Sequence, residues 1–103
     1  MGELEVTIER LAAMITLHVA GPVDGLTAAS LREPLLAAAA APNATVRLDL
    51  ARVPYISNAG LRVLMLAAQA LRARDERLRL ERVPPHIANV LSSAGFTTFV
   101  DVE

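Results

Sequence analysis

The stretch that decides the fold is Leu48–Leu64, with the sequence LDLARVPYISNAGLRVL. Its first residues alternate apolar and polar side chains, which indicates a half-buried β-strand. A turn around Pro54 follows, and an apolar helix is predicted to begin at Asn58. Ser57 and Asn58 therefore lie at a helix N-terminus, where unpaired backbone N–H groups and the positive end of the helix dipole favour an oxygen or an anion.

Outward from this stretch, the hydrophobic pattern predicts strands over 5–9, 14–19, 46–50, 78–83 and 99–102, and helices over 26–41, 58–74 and 86–94. Asp24 or Thr27 is predicted to cap the first helix, in which Pro34 removes a backbone hydrogen bond and causes a kink or a late start. Pro85 opens the third helix, and Gly95 is its C-cap. The order β-β-α-β-α-β-α-β predicts an α/β fold with a mixed, mostly parallel sheet, in a single domain over 1–103.

The composition argues against several classes of function. The 103 residues carry a net charge of −1 with a pI of about 6.1, so no basic surface for nucleic acid is expected. The absence of cysteine excludes disulfides, thiolate metal sites and a cysteine nucleophile. No apolar run approaches the roughly 20 residues of a membrane span, and residues 1–5 lack the features of a signal peptide. We therefore expect no direct membrane insertion, and a cytoplasmic location is compatible with the sequence.

The helix predicted over 58–74 is apolar on nearly every side of its first three turns. A core stripe at i, i+3, i+7 and i+10 begins at Leu61, and further apolar residues widen it. Two interpretations remain open. Either a neighbouring helix covers the additional apolar surface, or Val63, Leu66 and Ala67 form a partner surface next to the Ser57–Gly60 loop.

The polar residues have simple structural interpretations. Ser57 and Asn58 are good helix caps, and Asp24 is a turn or N-cap residue. Asp49 is interpreted as a structural strand carboxylate that faces a helix dipole. His18 and His86 are far apart in sequence and lack partners at ligand spacing, so no metal site is predicted. No glycine-rich phosphate loop, nucleophile elbow or suggestive carboxylate pair occurs, so we predict no cofactor and no enzymatic activity.

The segment Ser57–Arg62, SNAGLR, resembles the signature of the STAS family, the small domains typified by bacterial anti-sigma factor antagonists. In that family the segment reads Asp-Ser-Ser-Gly-Leu, or Ser-Ser-Ala-Gly-Leu-Arg in a common variant. The hairpin, the Gly21–Asp24 turn, the strand over 46–50 and Leu91–Phe96 extend the resemblance over nearly the whole chain. It implies a STAS-like fold with the predicted element order and a non-enzymatic protein-interaction domain.

The resemblance also implies partners and a site. The first partner is an anti-sigma factor with a serine kinase-like ATPase fold, which the domain sequesters so that a sigma factor is released in the cytoplasm. A PP2C-type phosphatase is the second partner class. The alternative is a STAS accessory subunit of a membrane lipid-transport ATPase, or another STAS interaction module. The implied partner-binding residues are Asp24, Ser57, Asn58, Ala59, Gly60, Arg62, Val63 and Leu66.

Asn58 is the main departure from the family pattern. In the resembling proteins this position carries a phosphorylatable hydroxyl, and phosphate there breaks the contact with the kinase. Asn58 is neutral and cannot be phosphorylated by a serine kinase. We therefore expect a permanently binding-competent chain, unless the adjacent Ser57 has become the acceptor. The missing acceptor also suits a lipid-transport subunit that binds its ATPase constitutively.

Overall fold

The computed structural model describes residues 3–103, which form a five-stranded sheet and three α-helices. The sheet order is β1-β2-β3-β4-β5, in which β1 and β2 are antiparallel and the other neighbours are parallel. The predicted element order and the mixed, mostly parallel α/β fold are confirmed. In chain order the elements are β1 (Glu5–Leu11), β2 (Met14–Ala20), α1 (Ala28–Ala40), β3 (Thr45–Arg52), α2 (Asn58–Arg72), β4 (Leu78–Glu81), α3 (Pro85–Ser93), a 3-10 turn (Phe96–Thr98) and β5 (Val100–Val102).

The sheet has one apolar face and one polar face, because successive side chains of a strand point to opposite sides. Leu17, Leu48 and Leu80 occupy the centre of the apolar face and are fully buried in the core that the helices share with the sheet. The alternate positions of the same strands carry polar side chains, among them His18 and Asp49. Burial of the apolar face is the main favourable term in folding, and it fixes the register of each strand.

Helix α2 is buried on two sides because it packs against α1 as well as against the core. Leu64 and Leu71 are fully buried, and Val63 and Ala67 are only 4% and 0% exposed. The prediction that Val63 and Ala67 belong to an accessible partner surface is therefore wrong, since a neighbouring helix takes up that apolar surface.

The helix ends follow local chemistry. Helix α1 begins at Ala28, two residues later than predicted, and Pro34 lies in its interior, where it cannot donate a backbone hydrogen bond. Helix α3 begins with Pro85 as predicted, and Gly95 follows its end with a φ of +78°.

Within residues 3–103, no helix combines the length and the apolarity that a membrane crossing requires.

Strand β4 ends at Glu81, two residues before the predicted end. The reason is Arg82, whose φ of +51° lies in the left-handed region and turns the chain out of the sheet. Its guanidinium is thereby available to contact the polar face of the sheet.

Gly60 marks a close approach between α2 and the segment that follows β2. A Cβ at this position would lie 2.7 Å from Cγ1 of both Ile56 and Val23, and 3.2 Å from the Val23 carbonyl oxygen. We expect Gly60→Ala to lower the free energy of unfolding by about 1–2 kcal/mol, because overpacking outweighs the better helix propensity of alanine. Denaturant unfolding of the purified protein measures the difference.

Gly25→Ala is the matched control, since no heavy atom lies within 4 Å of its added Cβ. We expect this variant to change the free energy of unfolding by less than about 0.5 kcal/mol. Equal free energies for the two variants would contradict the argument from close packing.

Candidate functional site

Two loops lie side by side at one end of the sheet and form the candidate site. The loop after β2 contributes Val23, and the loop after β3 contributes Tyr55 and Ser57. The Val23 N–H donates to the Tyr55 carbonyl at 2.9 Å, and the Ser57 N–H donates to the Val23 carbonyl at 2.8 Å. Val23 and Ile56 thereby form a short parallel bridge. This pairing brings Asp24 next to the start of α2, although the two segments are more than 30 residues apart.

Ser57 caps α2, as its position in the sequence predicts. Its backbone is extended, with φ −93° and ψ 176°, and its Oγ accepts a hydrogen bond from the Gly60 N–H at 3.3 Å. Its carbonyl accepts from the Leu61 N–H at 2.9 Å. Asn58 is then the first residue of the helix and is exposed. The structure thus gives the two polar residues different environments: Ser57 is engaged in the cap, and Asn58 faces solvent.

The exposed side of α2 continues this site along the helix. Asn58, Arg62 and Leu66 are spaced by four residues, so they lie on one side of the helix, and all three are exposed. Two further apolar side chains, Leu26 and Tyr55, are 94% and 55% exposed on the two loops. Of the remaining predicted site residues, Ala59 is half-buried, whereas Gly60 and Val63 are buried and support the site from inside.

Asp24 is engaged in its own turn. Its Oδ1 accepts hydrogen bonds from the N–H groups of Leu26 at 2.9 Å and Thr27 at 3.1 Å. The hydroxyl of Thr27 donates to the Pro22 carbonyl at 2.7 Å and accepts from the Asp24 N–H at 2.9 Å. The hydrogen bond from Leu26 is the largest of the effects that lower the pKa of Asp24. The prediction that Asp24 is a turn residue is confirmed.

His86 supports the loop that leads into the site, a role that the sequence pattern did not indicate. It lies in the first turn of α3, and its Nε2 donates to the Pro54 carbonyl at 2.7 Å. The contact ties α3 to the loop three residues before Ser57. No local pattern signals it, because the partners are 32 residues apart.

A second polar group lies on the polar face of the sheet, and sequence analysis missed it. His18 Nδ1 contacts Asp49 Oδ2 at 2.7 Å, and His18 Nε2 contacts Glu9 Oε1 at 2.8 Å. Arg82 donates to both oxygens of Asp49, through Nε to Oδ1 at 3.2 Å and through Nη2 to Oδ2. We call Glu9, His18, Asp49 and Arg82 the sheet-face cluster.

The cluster corrects the interpretation of Asp49, which faces His18 and Arg82 and not a helix dipole. Only 5% of Asp49 is exposed. Burial raises the pKa of Asp49, but hydrogen bonds from Arg82, the Ala51 N–H and His18 outweigh burial and lower this pKa to about 2. The sequence does indicate that His18 and Asp49 occupy polar positions of alternating strands. Strand register, which pairs Thr7 with His18 and His18 with Asp49, brings the members together.

Comparison with known proteins agrees with this fold. The family profile described as "Mlab, STAS domain" matches residues 6–101. BtrV of Bordetella bronchiseptica is named a putative anti-sigma factor antagonist. It is 33% identical to this chain over 99 residues, which cover 96% of this chain and 85% of BtrV. The anti-sigma-B factor antagonist of Listeria monocytogenes is 27% identical over 95 residues, covering 92% of this chain and 83% of that protein.

A solved structure supports the architecture. The crystal structure of an anti-sigma factor antagonist from Mycobacterium paratuberculosis superposes with a TM-score of 0.85 over 96% of this chain and 84% of that chain. Its sequence identity of 18% limits this similarity to the fold. Because the family profile spans nearly the whole sequence and BtrV exceeds 30% identity, the chain belongs to the STAS domain family.

Proposed function

We propose that this chain, acting as a single STAS domain over 1–103, is a non-enzymatic antagonist of an anti-sigma factor. It binds an anti-sigma factor with a serine kinase-like fold in the cytoplasm and thereby releases a sigma factor for transcription. The names of its relatives support the role of antagonist. The observation that carries the proposal is the exposed surface around the start of α2, which we call the docking face and define as Leu26, Tyr55, Asn58, Arg62 and Leu66.

The docking face has the chemistry of a protein-binding surface. Leu26, Tyr55 and Leu66 present large apolar side chains to solvent, and Arg62 places a cation among them. Aromatic residues and arginine are enriched at protein interfaces, where apolar contacts supply most of the binding free energy. Val23, Gly60 and the Ser57 cap connect the two loops to the start of α2 and so bring these side chains together.

The absence of catalysis is supported by the environments of the two histidines. Both ring nitrogens of His18 contact carboxylates, and His86 Nε2 is bonded to a backbone carbonyl. In the part of the chain that the structure describes, neither imidazole is hydrogen-bonded to a side-chain hydroxyl, as a histidine that activates a nucleophile would be.

Charge substitution on the docking face tests the proposal. We expect Leu66→Glu to weaken binding of the purified kinase-like anti-sigma factor at least about tenfold, because a buried unpaired carboxylate in an interface costs more than 1.4 kcal/mol. Val90→Glu on α3 is the matched control, since Val90 is 39% exposed and Leu66 is 40% exposed. Its dissociation constant, measured by calorimetry, should stay within about twofold of the unmodified protein.

The partner is first isolated from the native host by affinity capture with ADP and with ATP. Failure to recover any kinase-like protein in the presence of either nucleotide would contradict the proposal, and so would an equal loss of affinity in the two variants.

Recovery of a permease and its ATPase would instead favour a second function, a constitutive accessory subunit of a lipid-transport complex. The observation that favours this second function is Asn58, which removes the family's phosphorylation acceptor. A PP2C-type phosphatase has a role only if the chain is phosphorylated.

Regulation at the start of α2 gives a further prediction that rests on the proposed function. We expect Asn58→Asp to weaken binding of the anti-sigma factor at least about tenfold, because it places a negative charge where the family uses phosphate. A carboxylate at a helix N-terminus favours folding, so thermal unfolding should show that this variant is as stable as the original. Calorimetric titration measures the loss of affinity.

Intact-mass measurement after incubation with the cognate kinase and ATP decides whether Ser57 replaces the missing acceptor. We expect no added phosphate on the original chain, since the Ser57 hydroxyl is half-buried and engaged by the Gly60 N–H. Asn58→Ser should gain one phosphate and serves as the positive control. A phosphate on the original chain that disappears in Ser57→Ala would overturn permanent binding competence.

A further inference from the structure

The sheet-face cluster requires a protonated histidine. A carboxylate oxygen lies 2.7 Å from His18 Nδ1 and another lies 2.8 Å from Nε2, and ionised carboxylates accept hydrogen bonds but donate none. Both nitrogens must therefore carry a proton for both contacts to be hydrogen bonds. A neutral imidazole has a single N–H, so it leaves one lone pair facing a carboxylate at hydrogen-bond distance.

The two carboxylates differ in how firmly they are held. Asp49 is buried, and it also accepts hydrogen bonds from Arg82 and from the Ala51 N–H at 3.0 Å. The side chain of Glu9 is 62% exposed, and His18 is the partner to which it is bonded. When the imidazole loses a proton, the remaining N–H stays with the buried Asp49, and Glu9 can turn into water at little cost.

The other charged groups around His18 are few and mostly paired. From β3, Arg47 is bonded to Glu81 of β4 at 3.2 Å. Glu5 of β1 and Arg52 at the end of β3 line a cavity of about 280 Å³ next to His18. The His18 side chain is 37% exposed, so water reaches the ring in the folded protein.

We propose that His18 is a pH-dependent latch on the sheet: in its protonated form it links Glu9 of the edge strand β1 to Asp49 of the central strand β3, and on losing its proton it releases Glu9. Over residues 3–103, strand β1 pairs with β2 alone, and its outer edge is unpaired. The latch therefore acts on an edge strand, which the sheet holds on one side. Its release changes the charge of the cluster from zero to −1.

The direction of the pH effect follows from the contacts. The hydrogen bond to Glu9, followed by the hydrogen bond to Asp49, raises the pKa of His18 above its usual value near 6.5. A group with a raised pKa in the folded protein contributes stability that is fully present below its unfolded pKa, and this contribution is lost as the pH rises through its folded pKa. The latch is thus closed at acidic pH and opens on the alkaline side of about pH 6.5.

NMR titration of the two histidines tests the proposal directly. We expect the His18 ring to titrate with a midpoint above about 6.5. Over the same pH range, amide protection factors should fall at the alternate β1 residues whose N–H groups bond to β2. Protection at Val46 and Leu48 of β3 should not change. A His18 midpoint at or below about 6.5, or protection in β1 that is independent of pH, would overturn the latch.

Single substitutions distinguish the pH-dependent release of Glu9 from a general loss of stability. Glu9→Gln should lower the His18 midpoint towards about 6.5 and remove the pH dependence of β1 protection, because the glutamine carries no charge. Glu5→Gln is the matched control on the same face of the same strand and should leave both unchanged. His18→Gln should abolish the pH dependence, and His86→Gln should preserve it. Equal midpoints in Glu9→Gln and Glu5→Gln would overturn the assignment of Glu9.

Discussion

The short bridge at Val23 is the constraint on which the candidate site depends. Two backbone hydrogen bonds hold this residue between Tyr55 and Ser57 and bind the loop after β2 to the loop after β3. The absence of a side chain at Gly60 lets α2 approach Val23 closely. The bridge thus holds the two loops together beside the first turn of α2. Every exposed residue of the docking face is positioned by one of these three segments.

The two faces of the sheet have different roles: one packs in the hydrophobic core, and the other carries interacting charged side chains. Leucines and valines on one face are buried with the helices, and a slip of one residue in register would expose them. The same register sets polar side chains beside one another on the opposite face, where His18 lies between Glu9 and Asp49. A buried carboxylate such as Asp49 is tolerated because it accepts four hydrogen bonds, two of them from Arg82.

The sequence predicted most of the fold because the physical causes are local. Alternation of apolar residues located the five strands, helical periodicity located the three helices, and turn residues such as Gly95 located several of their ends. The Ser57 cap was also predictable, since a serine side chain before an apolar helix accepts a hydrogen bond from one of the first N–H groups. The predicted ends failed where a backbone conformation departs from the pattern, as at Arg82, whose positive φ ends β4 early.

The sequence by itself determined the element order, the cap at Ser57 and the chemistry of Asn58, because each depends on neighbours within a few positions. Only the tertiary structure decided which apolar residues of α2 are accessible: Val63 and Leu66 are three positions apart in one apolar helix, but α1 packs along α2, and only Leu66 is exposed. It also decided that Asp49 faces His18. Contacts between residues some 30 positions apart depend on strand register and helix packing, which no local pattern encodes.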